Sequence, residues 1–442
     1  MAEYKNVEKP FLEKLKDLNW RVIDQGSFGI PQDPAKSLRT SFKEVTLKQE
    51  FIKAVKKINT VSGVTWLTDK QLEDLYNETI TTEKANLSLL EANKQVFEKL
   101  IGITKTTVTK NEVTGEENPL VKLIDFKHWD NNEFVAINQF RVVTPGGPRE
   151  GVIPDIVLFV NGLPFTVIEC KDVDVADPIS SAVEQIMRYA NTRGDDFGFT
   201  DGEERLFHYN LFSIATHGEE ARVGSITGDF EYYLNWKDIF PEVYRNIDLL
   251  NYAAEETARY QNNGLHNDPR VRQEVLIKGI LNKEILLDIL QHFTLFMEIK
   301  EGVEVKIVCR YQQYRAVGKI LNRLRTETSG KTRSGVVWHT QGSGKSLTMV
   351  FFVRKLRSQS DLKDYKVIMM VDRKDLEKQL SATARLTNEF KEANIVSSRK
   401  DLVPKLSGNA SNLNMVMVHK FVQEELKHSK ALMKAFVEEG KV

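Results

Sequence analysis

Three side chains stand at the ends of two apolar runs in the stretch IPDIVLFVNGLPFTVIECKD, residues 153–172: Asp155 directly after a proline, then Glu169 and Lys171 two apart. The runs DIVLFV and FTVIEC are rich in β-branched and apolar residues and are separated by a Gly-bearing turn, which predicts a hairpin whose strands are buried on both faces. Side chains alternate along a strand, so Glu169 and Lys171 share one face and Cys170 takes the other. Whether Asp155 joins them depends on register. A two-residue Asn161-Gly162 turn with regular pairing sets Asp155 against Ile168, on the wrong face. A three-residue loop, Val160 to Gly162 with Gly162 left-handed, pairs Phe159 with Leu163 and Asp155 with Val167 and restores the shared face. The expectation is that odd loop, or an equivalent bulge. Two carboxylates and an ammonium gathered in this way have the composition that metal-assisted phosphodiester cleavage requires. Asp155 and Glu169, helped by the Cys170 carbonyl, offer oxygen to Mg²⁺, while Lys171 orients a water or stabilises developing charge.

A second chemistry lies in SGVVWHTQGSGKSLTMV, residues 334–350, which reads as a short β-run, a Gly-rich turn, Gly-Lys-Ser and an apolar helix start. That is the context of a phosphate-binding loop. Gly342 and Gly344, with Ser343 between them, let backbone N–H groups approach the phosphates; Lys345 reaches the β and γ oxygens and the Ser346 hydroxyl is placed for Mg²⁺. His339 stands where the first glycine is usual.

The elements that must carry these residues are legible in outline. DPISSAVEQIMRYAN predicts a helix from an Asp177 N-cap and Pro178 to Asn191, with Gln185 and Tyr189 four apart on one face. NVEKPFLEKLKDL predicts a first helix bearing Glu8. TKTTVTKNEVTGEENP, residues 104–119, reads as an exposed loop, and ARYQNNGLHNDPR, residues 258–270, as a linker before the helical signal VLIKGILNKEILLDILQHFTLFMEI. A boundary near residue 262 follows, giving a domain over 1–261, a linker over 262–272 and a domain over 273–442.

Composition limits the function classes. A chain of 442 residues can bury two or three ordinary cores, and 41% hydrophobic with 28% charged residues describes a soluble globular protein. No apolar run approaches the roughly 20 residues needed to span a bilayer, and the start lacks a secretory signal, so a cytoplasmic location is expected. Two cysteines, Cys170 and Cys309, exclude a disulfide scaffold or cysteine-rich zinc site. With 62 basic and 62 acidic residues there is no global positive field, and any DNA contact must be local.

Spaced as Pro-Asp, then Glu-x-Lys, residues 154–171 resemble the PD-(D/E)xK nuclease superfamily. Gln185 and Tyr189 resemble the Gln-x-x-x-Tyr helix element of nucleases in helicase-linked enzymes of that superfamily, which implies that they support the active site and the DNA. Family members often carry a glutamate on an N-terminal helix; Glu8 is a candidate for it, although on its own it reads as a surface residue. RYQQYRAV, residues 310–317, resembles the glutamine motif that reads adenine in superfamily 2 helicases, with Gln313 selected by the Gln-x-x-Ala spacing and Gln312 as fallback; ATP is implied. YKVIMMVDRKDLEKQL resembles motif Ia and NLNMVMVHKF sits where motif Ib belongs, which makes Arg373 and Lys374 candidates for DNA phosphates. His419 departs from the threonine-rich pattern there and receives no role.

The order of these motifs resembles the restriction (motor) subunit of type I restriction-modification enzymes over nearly all of the chain. The resemblance implies an α/β fold: a PD-(D/E)xK endonuclease-like domain followed by a partial RecA-like motor domain of the superfamily 2 helicase type. It further implies double-stranded DNA as substrate, ATP and Mg²⁺ as cofactors, and methylation and specificity subunits as partners. A helicase-nuclease of recombination or repair, or a nucleotide-responsive DNA-binding subunit without catalysis, are the alternatives. No Asp-Glu-x-His box or second motor lobe is present before the chain stops at AFVEEGKV. The expectation is an N-terminal portion of a longer protein or a truncated frame that on its own binds ATP weakly at most and does not translocate.

Overall fold

The structure, a computed structural model, describes residues 2–27, 29–81, 87–144, 151–193, 202–240, 272–300, 302–371, 394–395 and 413–417. Arg373, Lys374 and His419, and the linker expected over 262–272 apart from Arg272, lie outside these residues. Among the described residues no helix is long and apolar enough to cross a membrane. The chain divides into two compact units: one comprises Met1–Thr294 with Val305–Val308, the other Leu295–Glu304 with Cys309–Val442.

In the first unit the order is α1 (Lys9–Asp17), β1 (Arg21–Ile23), α2 (Lys48–Ile58), β2 (Thr60–Val61), β3 (Val64–Thr65), α3 (Asp69–Ile80), α4 (Leu89–Leu100), β4 (Phe134–Asn138), β5 (Ile156–Val160), β6 (Leu163–Cys170), α5 (Pro178–Tyr189), β7 (Phe212–Thr216) and β8 (Ala221–Gly224). Helices α6 (Arg272–Ile280) and α7 (Lys283–His292) follow. A six-stranded mixed sheet runs β1-β4-β5-β6-β7-β8, with β1–β4 and β6–β7 parallel and the other neighbours antiparallel. Parallel neighbours need a crossover, and α5 lies within the one that joins β6 to β7, packing on both. Every residue of β4, β5, β6 and β7 is buried, the mark of strands covered on both faces.

The hairpin settles the register question by the second of the two expected devices. Val160 pairs with Leu163, so the turn is the two-residue Asn161-Gly162, both with positive φ (49° and 77°), and the three-residue loop does not form. Asn161 is held in that conformation by its side chain, which accepts from Glu133 N–H (2.8 Å) and donates to the Leu123 carbonyl (2.8 Å) and Asn132 Oδ1 (2.9 Å). The register then shifts: Phe159 pairs with Pro164 but Leu158 with Thr166, leaving Phe165 as an extra residue on β6. Proline cannot donate to a ladder and is confined to bulges and edges, which explains why the irregularity falls beside Pro164. Extended by one residue past Ile156↔Ile168, this register sets Asp155 opposite Glu169 rather than Val167. The parity is the same as that of the expected loop, so the shared face survives.

Another expectation gives way. The helical signal over residues 275–299 is broken: Asn282 caps α7 by accepting from the N–H groups of Glu284 (3.1 Å) and Ile285 (3.4 Å), and the β-branched and aromatic run after it forms β9 (Thr294–Lys300). Helices α6 and α7 belong to the first unit. Gln273 donates to Thr216 Oγ1 (2.9 Å) and Trp20 donates to the Leu281 carbonyl (3.0 Å), which ties them to the sheet and to the end of α1. Strand β10 (Val303–Val308) follows β9 in the chain.

The second unit contains α8 (Tyr311–Thr326), a single turn α9 (Gly330–Arg333), α10 (Lys345–Ser358), β11 (Val367–Val371), β12 (Asn394–Ile395) and β13 (Leu413–Met417). The three strands form a parallel sheet in the order β11-β13-β12, and α8 packs on α10. The strand expected just before the glycine turn is not one. Residues 334–340 have no ladder partner among the described residues, and Val336 and Trp338 are 92% and 79% exposed.

Candidate active site and nucleotide loop

Strands β4, β5 and β6 end together. The same end of the sheet therefore brings Gln139, which follows β4, beside Asp155, which precedes β5, and beside Glu169 and Lys171 at the close of β6. A short π-helical stretch, Tyr4–Glu8, leads into α1 and delivers Glu8 to the same place. Glu8 is 2% exposed, so it is not the surface glutamate that its helix position alone suggests. The Gln139 side-chain N–H donates to both oxygens of Glu8 at 3.1 Å and stands 3.5 Å from Asp155 Oδ1. Asn138 adds a longer contact to Glu8 Oε2, 3.4 Å.

Asp155 Oδ2 accepts from the Cys170 backbone N–H at 2.7 Å, a cross-strand clasp that the shifted register makes possible. Lys171 Nζ donates to Glu169 Oε1 at 2.6 Å and to the Cys170 carbonyl at 3.1 Å, so that carbonyl already has a donor on one lone pair. Glu169 is wholly buried, and its other oxygen, Oε2, has no hydrogen-bond partner among the described residues. A buried carboxylate oxygen without a donor is costly, and it fits an oxygen-seeking cation or a shared proton. The carboxylates of Glu3, Glu8 and Asp155 also lie within 4.8 Å of one another, a group that includes Asp155 but not Glu169. The two groups differ, and Asp155 is common to both.

The electrostatics express the same crowding. Burial, then repulsion from Asp155, raises the Glu8 carboxyl to about 7. Burial raises Asp155 to about 6 even though Lys171 and the Cys170 N–H pull it down. Glu169 is raised well above the ordinary carboxylate value by burial and by Asp155. Burial alone would lower Lys171, but Glu169 and Asp155 outweigh it and hold the ammonium above its ordinary value. Acids pushed upward together are a site built for positive charge, of which Lys171 supplies one.

Gln185 and Tyr189 meet on α5 as expected. The Gln185 side-chain N–H donates to the Tyr189 hydroxyl (2.6 Å), which donates to the Ile153 carbonyl (3.1 Å). Tyr189 is 1% exposed, and the pair braces the segment two residues before Asp155. Asp177 caps the helix by accepting from Ser180 N–H.

In the second unit Gly342 and Gly344 both adopt positive φ (77° and 78°) ahead of α10, leaving the first N–H groups of a 14-residue helix at the loop. Lys345 is exposed, and its Nζ donates to the His339 and Thr340 carbonyls, each at 3.0 Å. Ser343 donates to the Thr340 carbonyl (2.6 Å) and thus tightens the turn, while Ser346 lies in the first turn of α10. Gln313, 2% exposed, donates to the Gly344 carbonyl (3.0 Å) and accepts from Arg310 N–H (2.8 Å), so its amide joins α8 to the loop. Gln312 instead lines a cavity of about 650 Å³ together with Tyr311, Arg315, Lys319 and His339, and its side-chain amide oxygen is buried with no partner among the described residues.

Sequence reasoning missed Glu3, Asn138 and Gln139. The last two belong to no motif and reach the cluster only through the pairing of β4 with β5.

Residues 1–232 match the family model described as type I restriction enzyme R protein N terminus, and residues 312–440 match that of the SWI2/SNF2 ATPase. The chain is 30% identical over 388 residues to the type I restriction enzyme HindI endonuclease subunit of Haemophilus influenzae, covering 87% of this chain and 33% of that protein. It is 27% identical over 409 residues to the provisionally assigned type I restriction enzyme MjaIXP endonuclease subunit of Methanocaldococcus jannaschii, covering 91% and 36%. A third relative, the SsaAORF53P endonuclease subunit of Staphylococcus saprophyticus, is 24% identical over 415 residues. The chain spans about a third of the length of the curated relatives it matches.

Proposed function

The chain belongs to the type I restriction enzyme R protein family, and from that premise we propose that its first unit is a PD-(D/E)xK-type endonuclease for double-stranded DNA and its second the start of a RecA-like, ATP-driven translocase. By the same reading it assembles with methylation and specificity subunits. The observation that carries the nuclease reading is the unpartnered, buried Glu169 Oε2 beside Asp155. These acids fit a hard divalent cation such as Mg²⁺, which takes oxygen ligands; Asp155 and Glu169 would hold it, with Glu8 in reach of Asp155. When bound, such a cation supplies Lewis-acid polarisation of a phosphate and lowers the pKa of a water.

The remaining work falls to the chain. Lys171, held as an ammonium by its two carboxylate neighbours, sits where it can orient the attacking water or meet the charge that develops on phosphate oxygens. Asp155 is fixed by the Cys170 N–H, and the Tyr189–Ile153 bond fixes the backbone that carries Asp155. The Cys170 carbonyl remains available as a further oxygen through its second lone pair.

For the second unit, the helix α10 N-terminus and Lys345 would hold the ATP phosphates, Ser346 the accompanying Mg²⁺, and Gln313 would sense an occupied loop through its bond to the Gly344 carbonyl. Gln312 faces the neighbouring cavity and is the better placed of the two to meet the adenine.

The test of the nuclease reading is strand scission of supercoiled duplex DNA by this chain in Mg²⁺. Scission is expected to fall about 10³-fold in Asp155→Ala while circular dichroism is preserved. Scission that persists unchanged in the variant removes the assignment.

A further inference from the structure

Gln139 has a backbone conformation that its residue type disfavours. Its φ is +49°, in the left-handed region, where Asn, Asp and His are enriched among non-glycine residues and Gln is not. The surrounding structure over-determines that conformation. The Gln139 N–H donates to the Asp155 carbonyl (2.8 Å), and the Gln139 carbonyl accepts from Arg141 N–H (2.9 Å) and from the Gln25 side chain (3.2 Å). Gln25 also donates to the Asn138 carbonyl (2.7 Å). On the other flank the Arg39 guanidinium stacks 3.6 Å from the centre of the Phe140 ring and donates to the Arg141 carbonyl (2.8 Å). A strained residue persists where its surroundings enforce it, and such residues cluster at functional sites.

What the strain secures is the reach of the side chain. From this position Nε2 contacts both oxygens of Glu8 at 3.1 Å and approaches Asp155 Oδ1 at 3.5 Å. Asparagine would suit the backbone better but is one methylene shorter, and glycine would remove the strain along with the contact. An amide suits the task because it donates to carboxylates without adding a charge that would compete with a cation. Glu8 Oε1, whose donor is Gln139, keeps a further lone pair for a ligand, whereas Oε2 also accepts from Asn138 (3.4 Å).

We propose that Gln139 is a positioning residue that holds the Glu8 carboxylate against Asp155, so that the π-helical stretch leading into α1 contributes to cation binding at the site. This rests on the metal-assisted reading given above and extends it to a residue outside the Asp155, Glu169 and Lys171 group. Gln139 acts through Glu8 and touches neither substrate nor cation.

Mn²⁺ binding to the 442-residue chain, followed by electron paramagnetic resonance, tests it with three variants. Gln139→Gly keeps the left-handed backbone and relieves its strain, so the melting temperature without metal is expected to hold or rise while Mn²⁺ affinity falls about 10- to 100-fold. In a Glu8→Gln background, Gln139→Gly is expected to change affinity no further, because the two residues act as one unit. Asp155→Ala serves as the reference. If it abolishes Mn²⁺ binding while Gln139→Gly binds as tightly as wild type, the positioning role is overturned and the nuclease reading stands. If Asp155→Ala leaves Mn²⁺ binding unchanged, both fall. An additive loss in the double variant also overturns the proposal, since it would mean that Gln139 does not act through Glu8.

Discussion

The carboxylate cluster at the ends of β4, β5 and β6 and the glycine loop before α10 both suit phosphate chemistry, yet they are built in opposite ways. The first is buried, assembled from side chains that segments far apart in sequence deliver to one sheet end, and electrostatically crowded: Glu8 and Asp155 are raised to about 7 and 6. The second is exposed, assembled from consecutive backbone groups, and satisfied within itself, with Lys345 resting on the His339 and Thr340 carbonyls. A buried acidic site is strained until positive charge arrives, whereas a loop of this kind exchanges its own weak contacts for the ligand's. The first should therefore gain stability on loading and the second should gain mainly affinity and order.

The sharpest way to break that contrast is to exchange the expected sensitivities. Asp155→Ala is expected to lower Mg²⁺-dependent scission by about 10³-fold, the scale on which removal of a central charged group acts, and to leave binding of a fluorescent ATP analogue unchanged. Lys345→Ala should weaken that analogue by about 10- to 100-fold, the worth of a charge-assisted hydrogen bond to phosphate, and leave Mn²⁺ affinity at the first unit untouched. Crossed effects, nucleotide loss in the first variant or cation loss in the second, would show that the two sites are not separately built.

The architecture beneath the acidic site can be probed through its turn. A Cβ on Gly162 would come 2.4 Å from the Leu47 carbonyl oxygen, at a φ of +77° that alanine disfavours. Gly162→Ala is expected to cost about 2–4 kcal/mol in denaturant unfolding of the first unit; a loss below half a kcal/mol would contradict the tight turn and the register that depends on it.

The pH dependence sharpens the contrast further. Glu8 and Asp155 bind protons more tightly when folded than when unfolded, so their contribution to stability is complete below about pH 4 and is lost as pH rises through 6 and 7. Without divalent cation, the first unit should therefore melt at a lower temperature at pH 8 than at pH 5.5 on account of these groups. Added Mg²⁺, which competes with protons for them, should raise the melting temperature at least twice as much at pH 8 as at pH 5.5. Glu8→Gln should flatten that dependence; an unaltered pH profile in this variant would remove Glu8 from the cluster. The smallest effect belongs to Ser343→Ala, which removes one hydrogen bond in the turn (2.6 Å) and should cost about 1 kcal/mol locally with nucleotide affinity unchanged. A larger loss of nucleotide would make Ser343 a ligand and not a turn residue.

The same contrast explains what the sequence revealed. Contiguous signals were readable: the α5 cap at Asp177, the Gly-Lys-Ser turn, and the apolar runs of β5 and β6. Parity was readable as well, because carboxylates that share a face must differ from a regular two-residue hairpin by one position. The direction of the bulge was not, since it depends on how Asn161 is held by Glu133, Leu123 and Asn132. Glu8 was ambiguous and Glu3, Asn138 and Gln139 were invisible, because their place follows from strand pairing and from the approach of α1 to the sheet. The run at 334–338 has strand composition, but composition cannot supply a ladder partner. The long helical signal past residue 275 failed for the converse reason: Asn282 offers the backbone a cap, and Thr294 opens a strand.

The most direct measurement of the central claim is the melting temperature of the 442-residue chain and of Glu169→Gln at pH 8, each with and without Mg²⁺. The account predicts that the amide variant, relieved of a buried and crowded carboxylate, melts at or above the wild type without metal and does not respond to Mg²⁺, while the wild type rises. A variant that responds to Mg²⁺ as the wild type does would contradict it.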